Sequence, residues 1–97
     1  MSNERIKIIP KQFSLYQNFP NPFNPGTTIS FDLPKSTLVT LTIYDILGRK
    51  IKTVVDERKE AGSYSINVDL GNLSSGVYFY HLQTDDFNAT RKMVLLR

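Results

Sequence analysis

The chain has 97 residues and a formal net charge of +3, with 40% hydrophobic and 22% charged residues, so it has room for one folded domain and little else. With no cysteine it can form no disulfide, thiolate metal site or cysteine nucleophile, and twelve Lys and Arg against nine Asp and Glu are too mild a balance to argue for nucleic acid. No apolar run approaches the roughly 18 residues that span a bilayer, and charges occupy the start of the chain where a signal peptide needs an apolar stretch; the chain reads as cytosolic or as a piece of a larger secreted protein.

Met1 to Gln12 mix charges with a short Ile6, Ile8, Ile9 cluster and no sustained period, which reads as a linker or the end of an upstream region, with the domain proper at residues 13–97. From Phe13 onward, turn signals at Asn18–Gly26, Leu33–Ser36, Leu47–Gly48, Glu60–Gly62, Gly71–Gly76 and Asp85–Asp86 separate short segments rich in Val, Ile, Thr, Tyr and Phe. That spacing predicts antiparallel β structure.

A short strand is expected at Phe13–Tyr16. In Thr28–Leu33 the alternation turns Ile29, Phe31 and Leu33 inward. Thr37–Asp45 sets Val39, Leu41 and Ile43 against Thr40, Thr42 and Tyr44, with β-branched residues on both faces, which predicts a central strand. Arg49–Asp56 is irregular, because Ile51 and Val54 are three apart and Val55 follows directly, so a bulge or a twisted edge is expected. Ser63–Leu70 alternates cleanly with Tyr64, Ile66, Val68 and Leu70 inward. Val77–Thr84 turns Tyr78, Tyr80 and Leu82 to one face and joins Phe87–Leu96 in a hairpin. The count is seven strands, and the fold class predicted is all-β, a seven-stranded antiparallel immunoglobulin-like β-sandwich. Its expected core is Ile29, Phe31, Leu41, Ile43, Ile66, Val68, Tyr78 and Tyr80.

Three of the five prolines fall in the loop Asn18-Phe19-Pro20-Asn21-Pro22-Phe23-Asn24-Pro25. Proline fixes φ and restricts its predecessor, so this loop has few conformations to lose on folding. Phe19 and Phe23 are expected to anchor it over an open end of the sandwich. It reads as a rigid connection or as a recognition surface. Gly48 and Gly76 read as structural turns.

The run Leu15-Tyr16-Gln17-Asn18-Phe19-Pro20-Asn21-Pro22-Phe23-Asn24-Pro25 is followed by Thr27-Thr28-Ile29, Val39-Thr40-Leu41 and Tyr44-Asp45-Ile46-Leu47-Gly48-Arg49. Leu73-Ser74-Ser75-Gly76-Val77-Tyr78-Phe79-Tyr80 and Lys92-Met93-Val94-Leu95-Leu96-Arg97 complete the series. Together these resemble the type A, immunoglobulin-like C-terminal sorting domain of type IX secretion cargo proteins, over about residues 13–97. The resemblance implies a bacterial, non-catalytic module of a larger secreted enzyme or adhesin, which passes through the periplasm to the cell surface or outside. Its implied partner is the outer-membrane type IX machinery. Similar modules occur in flagellar hook-capping proteins.

The last strand is expected to end basic and free, a β-edge able to pair with another protein, which makes Lys92, Met93, Val94, Leu95, Leu96 and Arg97 the candidate partner-binding residues. The other reading is that its basic residues only guard the edge. No catalytic set, cofactor or metal is expected. His81 is the one histidine and lies on a strand, Asp85-Asp86 reads as a solvated turn, and the sequons at Asn72 and Asn88 are chance patterns. The chain is expected to be a monomer without membrane span or nucleic-acid partner. The alternative function is an accessory sandwich that binds polysaccharide or protein, with Tyr44 and Phe79 as outward aromatics, or a spacer module.

Overall fold

A computed structural model describes residues 8–97. The linker expected at the start of the chain lies, for residues 1–7, outside the described residues. Strands β1 (Ser14–Leu15), β2 (Gly26–Leu33) and β5 (Gly62–Asp69) form one sheet in the order β1-β2-β5. Strands β3 (Thr37–Tyr44), β4 (Lys50–Lys59), β6 (Gly76–Gln83) and β7 (Asn88–Leu95) form the other in the order β4-β3-β6-β7. All strand pairs are antiparallel, and side chains of both sheets meet in one core, as in an immunoglobulin-like sandwich.

The period-two pattern places the core. Ile29, Phe31 and Leu33 of β2, Val39, Leu41 and Ile43 of β3, and Tyr80 and Leu82 of β6 are fully enclosed, and Val68 and Tyr78 nearly so. Each such aliphatic or aromatic side chain contributes about 1.5–3 kcal/mol when withdrawn from water. Ile66 departs from expectation and is only half-buried. It packs against the core from β5, but Val68 on the same strand and face is nearly enclosed, so the exposure is local to Ile66 and not a property of the edge.

Strand β3 is central, between β4 and β6. The irregular stretch after Arg49 is an edge strand with register shifts opposite Leu41/Thr42 and Ile43/Tyr44, which absorb the three-residue spacing of Ile51 and Val54. It runs on to Lys59, past the expected end at Asp56, because Thr37, Leu38 and Val39 continue to pair with it. The β6–β7 hairpin keeps one register from Gly76↔Leu95 to Gln83↔Asn88.

Candidate functional site

Segment 15–25 crosses from the three-stranded sheet to the open edge of β7 in the other. Along β2 it pairs like a strand: the Tyr16 N–H donates to the Ser30 carbonyl at 3.0 Å, and Phe19 and Thr28 exchange both backbone bonds at 3.0 Å. It then turns beneath Asn18. The Asn18 side chain is buried and donates to the Thr27 hydroxyl at 3.0 Å and the Pro20 carbonyl at 3.1 Å, while the Thr27 hydroxyl donates to the same carbonyl at 2.8 Å. Tyr80 closes this knot from the opposite sheet, donating to the Tyr16 carbonyl at 2.6 Å and accepting the Asn18 N–H at 2.8 Å. Burial pushes the Tyr80 phenol above its ordinary pKa. No buried side-chain nitrogen or oxygen among the described residues lacks a partner.

Beyond the knot the loop lies along β7. The Phe23 N–H donates to the Val94 carbonyl and the Leu96 N–H to the Phe23 carbonyl, each at 2.9 Å, forming a parallel bridge. The Asn21 side chain accepts the Val94 N–H at 3.0 Å, and the Gln17 amide donates to the Lys92 carbonyl at 2.7 Å. Arg91 reaches back to the Leu15 carbonyl at 2.6 Å. The peptide bonds before Pro20, Pro22 and Pro25 are cis.

Three expectations are therefore corrected. The edge of β7 is not free from Lys92 to Leu96, because the proline loop occupies it. Met93 and Leu95 are fully enclosed in the core and present nothing to a partner, whereas Lys92 and Leu96 are exposed and Val94 is half-buried. Phe23 is the loop's anchor at 2% exposure, but Phe19 is 80% exposed and anchors nothing. The bridge to Leu95 turns Phe23 inward, while Phe19 is held through its backbone only.

Arg97 is tethered. Its N–H donates to the Ser75 hydroxyl at 2.8 Å, and its guanidinium meets the carbonyls of Gly71 and Leu73, the latter at 3.2 Å. Pro20, Pro22, Phe23, Asn24, Leu96 and Arg97 line a depression of about 310 Å³ where loop and strand meet. Two elements that the sequence offered as separate candidates thus make one surface. The exposed joint also includes Asn21, whereas Pro25 is half-buried and its carbonyl accepts the Leu70 N–H at 3.0 Å.

Gly48, at φ +81°, sits in a turn organised by Asp45. The Asp45 carboxylate accepts the N–H groups of Leu47 and Arg49, each at 2.9 Å, and the Arg49 side chain at 2.7 Å. The backbone bond from Arg49 holds the carboxyl below its usual pKa range. Nothing in the loop's alternation signalled this; the Asp45–Arg49 spacing could have. At Gly76 the backbone takes φ +155° with open space around the Cα, so its glycine answers to backbone conformation and not to crowding. His81 bonds Thr90 at 2.7 Å on the outer sheet face. Asp86 pairs with Lys35, and Asp85 lies 3.9 Å from Arg58. Among the described residues no three His, Asp or Glu side chains converge as a metal site would need.

The family model described as "Secretion system C-terminal sorting domain" matches residues 17–96, from the glutamine that bonds β7 to the leucine that closes the Phe23 bridge. No curated protein matches the chain.

Proposed function

The chain belongs to the family of secretion system C-terminal sorting domains, and from that premise we propose that it is a folded, non-catalytic export signal read at the joint of the proline loop and β7. A type IX sorting domain serves a larger parent protein and the type IX machinery, and its cargo reaches the cell surface or the outside through the periplasm. The machinery docks on the exposed side chains of the joint, Lys92, Leu96 and Arg97 on one side and Pro20, Asn21, Pro22 and Asn24 on the other. Residues 13–97 are the module, acting as a monomer, and residues 1–12 link it to its parent.

The loop-to-strand zipper carries this reading. Stiff prolines, a buried anchor at Phe23 and a satisfied knot at Asn18 hold the exposed joint in one geometry, so binding it costs little ordering entropy. The start of packing supports the module boundary, since Phe13 stacks on Phe87 with ring centroids 5.2 Å apart.

The test is export of a periplasmic reporter carrying this chain at its C-terminus, in a host with an intact type IX system and in one lacking the outer-membrane pore. Reporter outside the cell in the intact host alone supports the reading. Retention in both would overturn it in favour of an accessory polysaccharide- or protein-binding module.

A further inference from the structure

The strand registers place four side chains in one row across the outer face of the four-stranded sheet. Lys50 of β4 is paired with Tyr44 of β3, Tyr44 with Phe79 of β6, and Phe79 with Lys92 of β7. The two rings are thus adjacent at the centre of the row and a lysine stands at each end. Among the described residues neither Lys50 nor Lys92 makes an ion pair. Tyr44 and Phe79 line a groove of about 360 Å³ with Asp45, Ile46, Gly48, His81 and Thr90.

At one end of the groove the β3–β4 turn holds bare aliphatic side chains in water, Ile46 at 68% and Leu47 at 73% exposure. This is not slack chain. Asp45 fixes the turn with its bonds to Leu47 and Arg49, and Gly48 adopts the left-handed conformation that closes it. These bonds hold two large apolar side chains side by side in water, where they gain nothing from the core. The one carboxylate lining the groove, Asp45, is already held by Arg49, so it does not neutralise Lys50 and Lys92 at the two ends of the row.

We propose that this row and its apolar tip form a second docking face, for a partner protein with an apolar socket that accepts Ile46 and Leu47 and carboxylates that meet Lys50 and Lys92. The identity of that partner as a component of the export machinery rests on the sorting reading above. Four strands spaced about 4.8 Å apart put the two lysine positions about 14 Å apart, with the two aromatic positions between them. Aromatic rings alone would suit a sugar as well. A hydrated glycan, however, gains little from two aliphatic side chains, whereas a protein socket buries them. Charge complementarity at the rim would steer the encounter and select against basic competitors.

The test uses the same reporter, carrying the whole chain. One variant is Lys50→Glu, the lysine of the row that the joint of loop and β7 does not use, and a second combines Ile46→Ser with Leu47→Ser. A control places the same change in net charge elsewhere, as Lys11→Glu. Both row variants are expected to melt like the wild type yet lose export by about tenfold or more, while the control is exported normally. Normal export of either folded row variant overturns the proposal while leaving the sorting function in place. Failure of the wild-type reporter itself overturns the sorting reading and this partner with it. Calorimetry of the purified chain against the host's isolated surface polysaccharide separates the remaining occupant. Binding there that depends on Tyr44 and Phe79 but is indifferent to Ile46→Ser and Leu47→Ser would reassign the face to a glycan.

Discussion

The phenol oxygen of Tyr80, on β6, accepts the backbone N–H of Asn18 at 2.8 Å and donates to the Tyr16 carbonyl at 2.6 Å. One side chain of the four-stranded sheet thus fixes the loop that leaves the three-stranded one. Tyr80→Phe keeps the ring and its packing but leaves a donor and an acceptor without a partner in a buried place. The expected cost is about 1–3 kcal/mol, read as a lower midpoint in denaturant with an unchanged slope. A variant as stable as wild type would mean that water replaces the phenol.

The same oxygen gives the fold an alkaline limit. Burial raises the Tyr80 pKa above its ordinary 10.0, so the folded state holds the phenolic proton more tightly than the unfolded chain does. The contribution is complete below pH 10.0 and declines as pH rises toward the folded value. In Tyr80→Phe this part of the alkaline loss should disappear. Melting both proteins from neutral pH to above pH 10 checks it: the gap between them should narrow, and a constant gap would contradict the assignment.

Phe23 and Phe19 are four residues apart in the same loop and should respond in opposite ways. Phe23→Ala removes a ring that is 2% exposed and should cost about 3–5 kcal/mol, a large share of a small domain's stability. Phe19→Ala removes a ring that is 80% exposed and should change stability by no more than about 0.5 kcal/mol. Paired denaturant melts decide this directly. If Phe19→Ala also impairs export while leaving the fold intact, the exposed ring belongs to the recognised surface.

That contrast also marks what the sequence could show. Alternation located the cores of β2, β3 and β6, because inward and outward faces are properties of one strand. Both phenylalanines stand next to a proline in the same loop, yet only Phe23 turns inward, owing to its bridge with Leu95, over 70 positions away in the chain. Lys92–Arg97 presented the same difficulty. Its basic, apolar pattern reads as an open edge, and only the fold shows Gln17, Asn21 and Phe23 lying against it. Ile66 alternates as well as Ile29 does, yet Ile29 is fully enclosed and Ile66 half-buried, a difference that alternation does not carry.

Asp45 makes the β3–β4 turn sensitive to acid. Its folded pKa is lowered, chiefly by the Arg49 N–H, so its contribution is present above the ordinary value of 3.8 and is lost as pH falls through the folded value. In an NMR titration the Asp45 carboxyl should change later, on acidification, than exposed aspartates. Asp45→Ala should melt below wild type at neutral pH, with the difference shrinking once the wild-type carboxylate is protonated. A normal titration midpoint would show that the turn's bonds do not persist in solution.

The proline loop also protects β7 from unwanted pairing. Edge strands offer unpaired backbone groups to other chains, and proteins cover or charge them to prevent this. Strand β4 carries Lys50, Lys52, Asp56, Glu57, Arg58 and Lys59 together with its register shifts, which is one solution. Strand β7 ends in apolar residues, Met93, Val94 and Leu95, and depends on Asn21 and Phe23 instead. Replacing Pro20, Pro22 and Pro25 by serine removes no hydrogen-bonding group but enlarges the number of conformations the loop must give up. The loop should then detach more often, and the uncovered edge should pair with a second copy. The expected outcome is concentration-dependent association in sedimentation velocity, with the wild type monomeric at the same concentrations. Suppression of that association by Val94→Lys, which puts a charge on the uncovered edge, would identify β7 as the pairing strand. Association that Val94→Lys leaves unchanged would place the sticky edge elsewhere, with the uncharged β5 stretch Gly62–Val68 the first to examine.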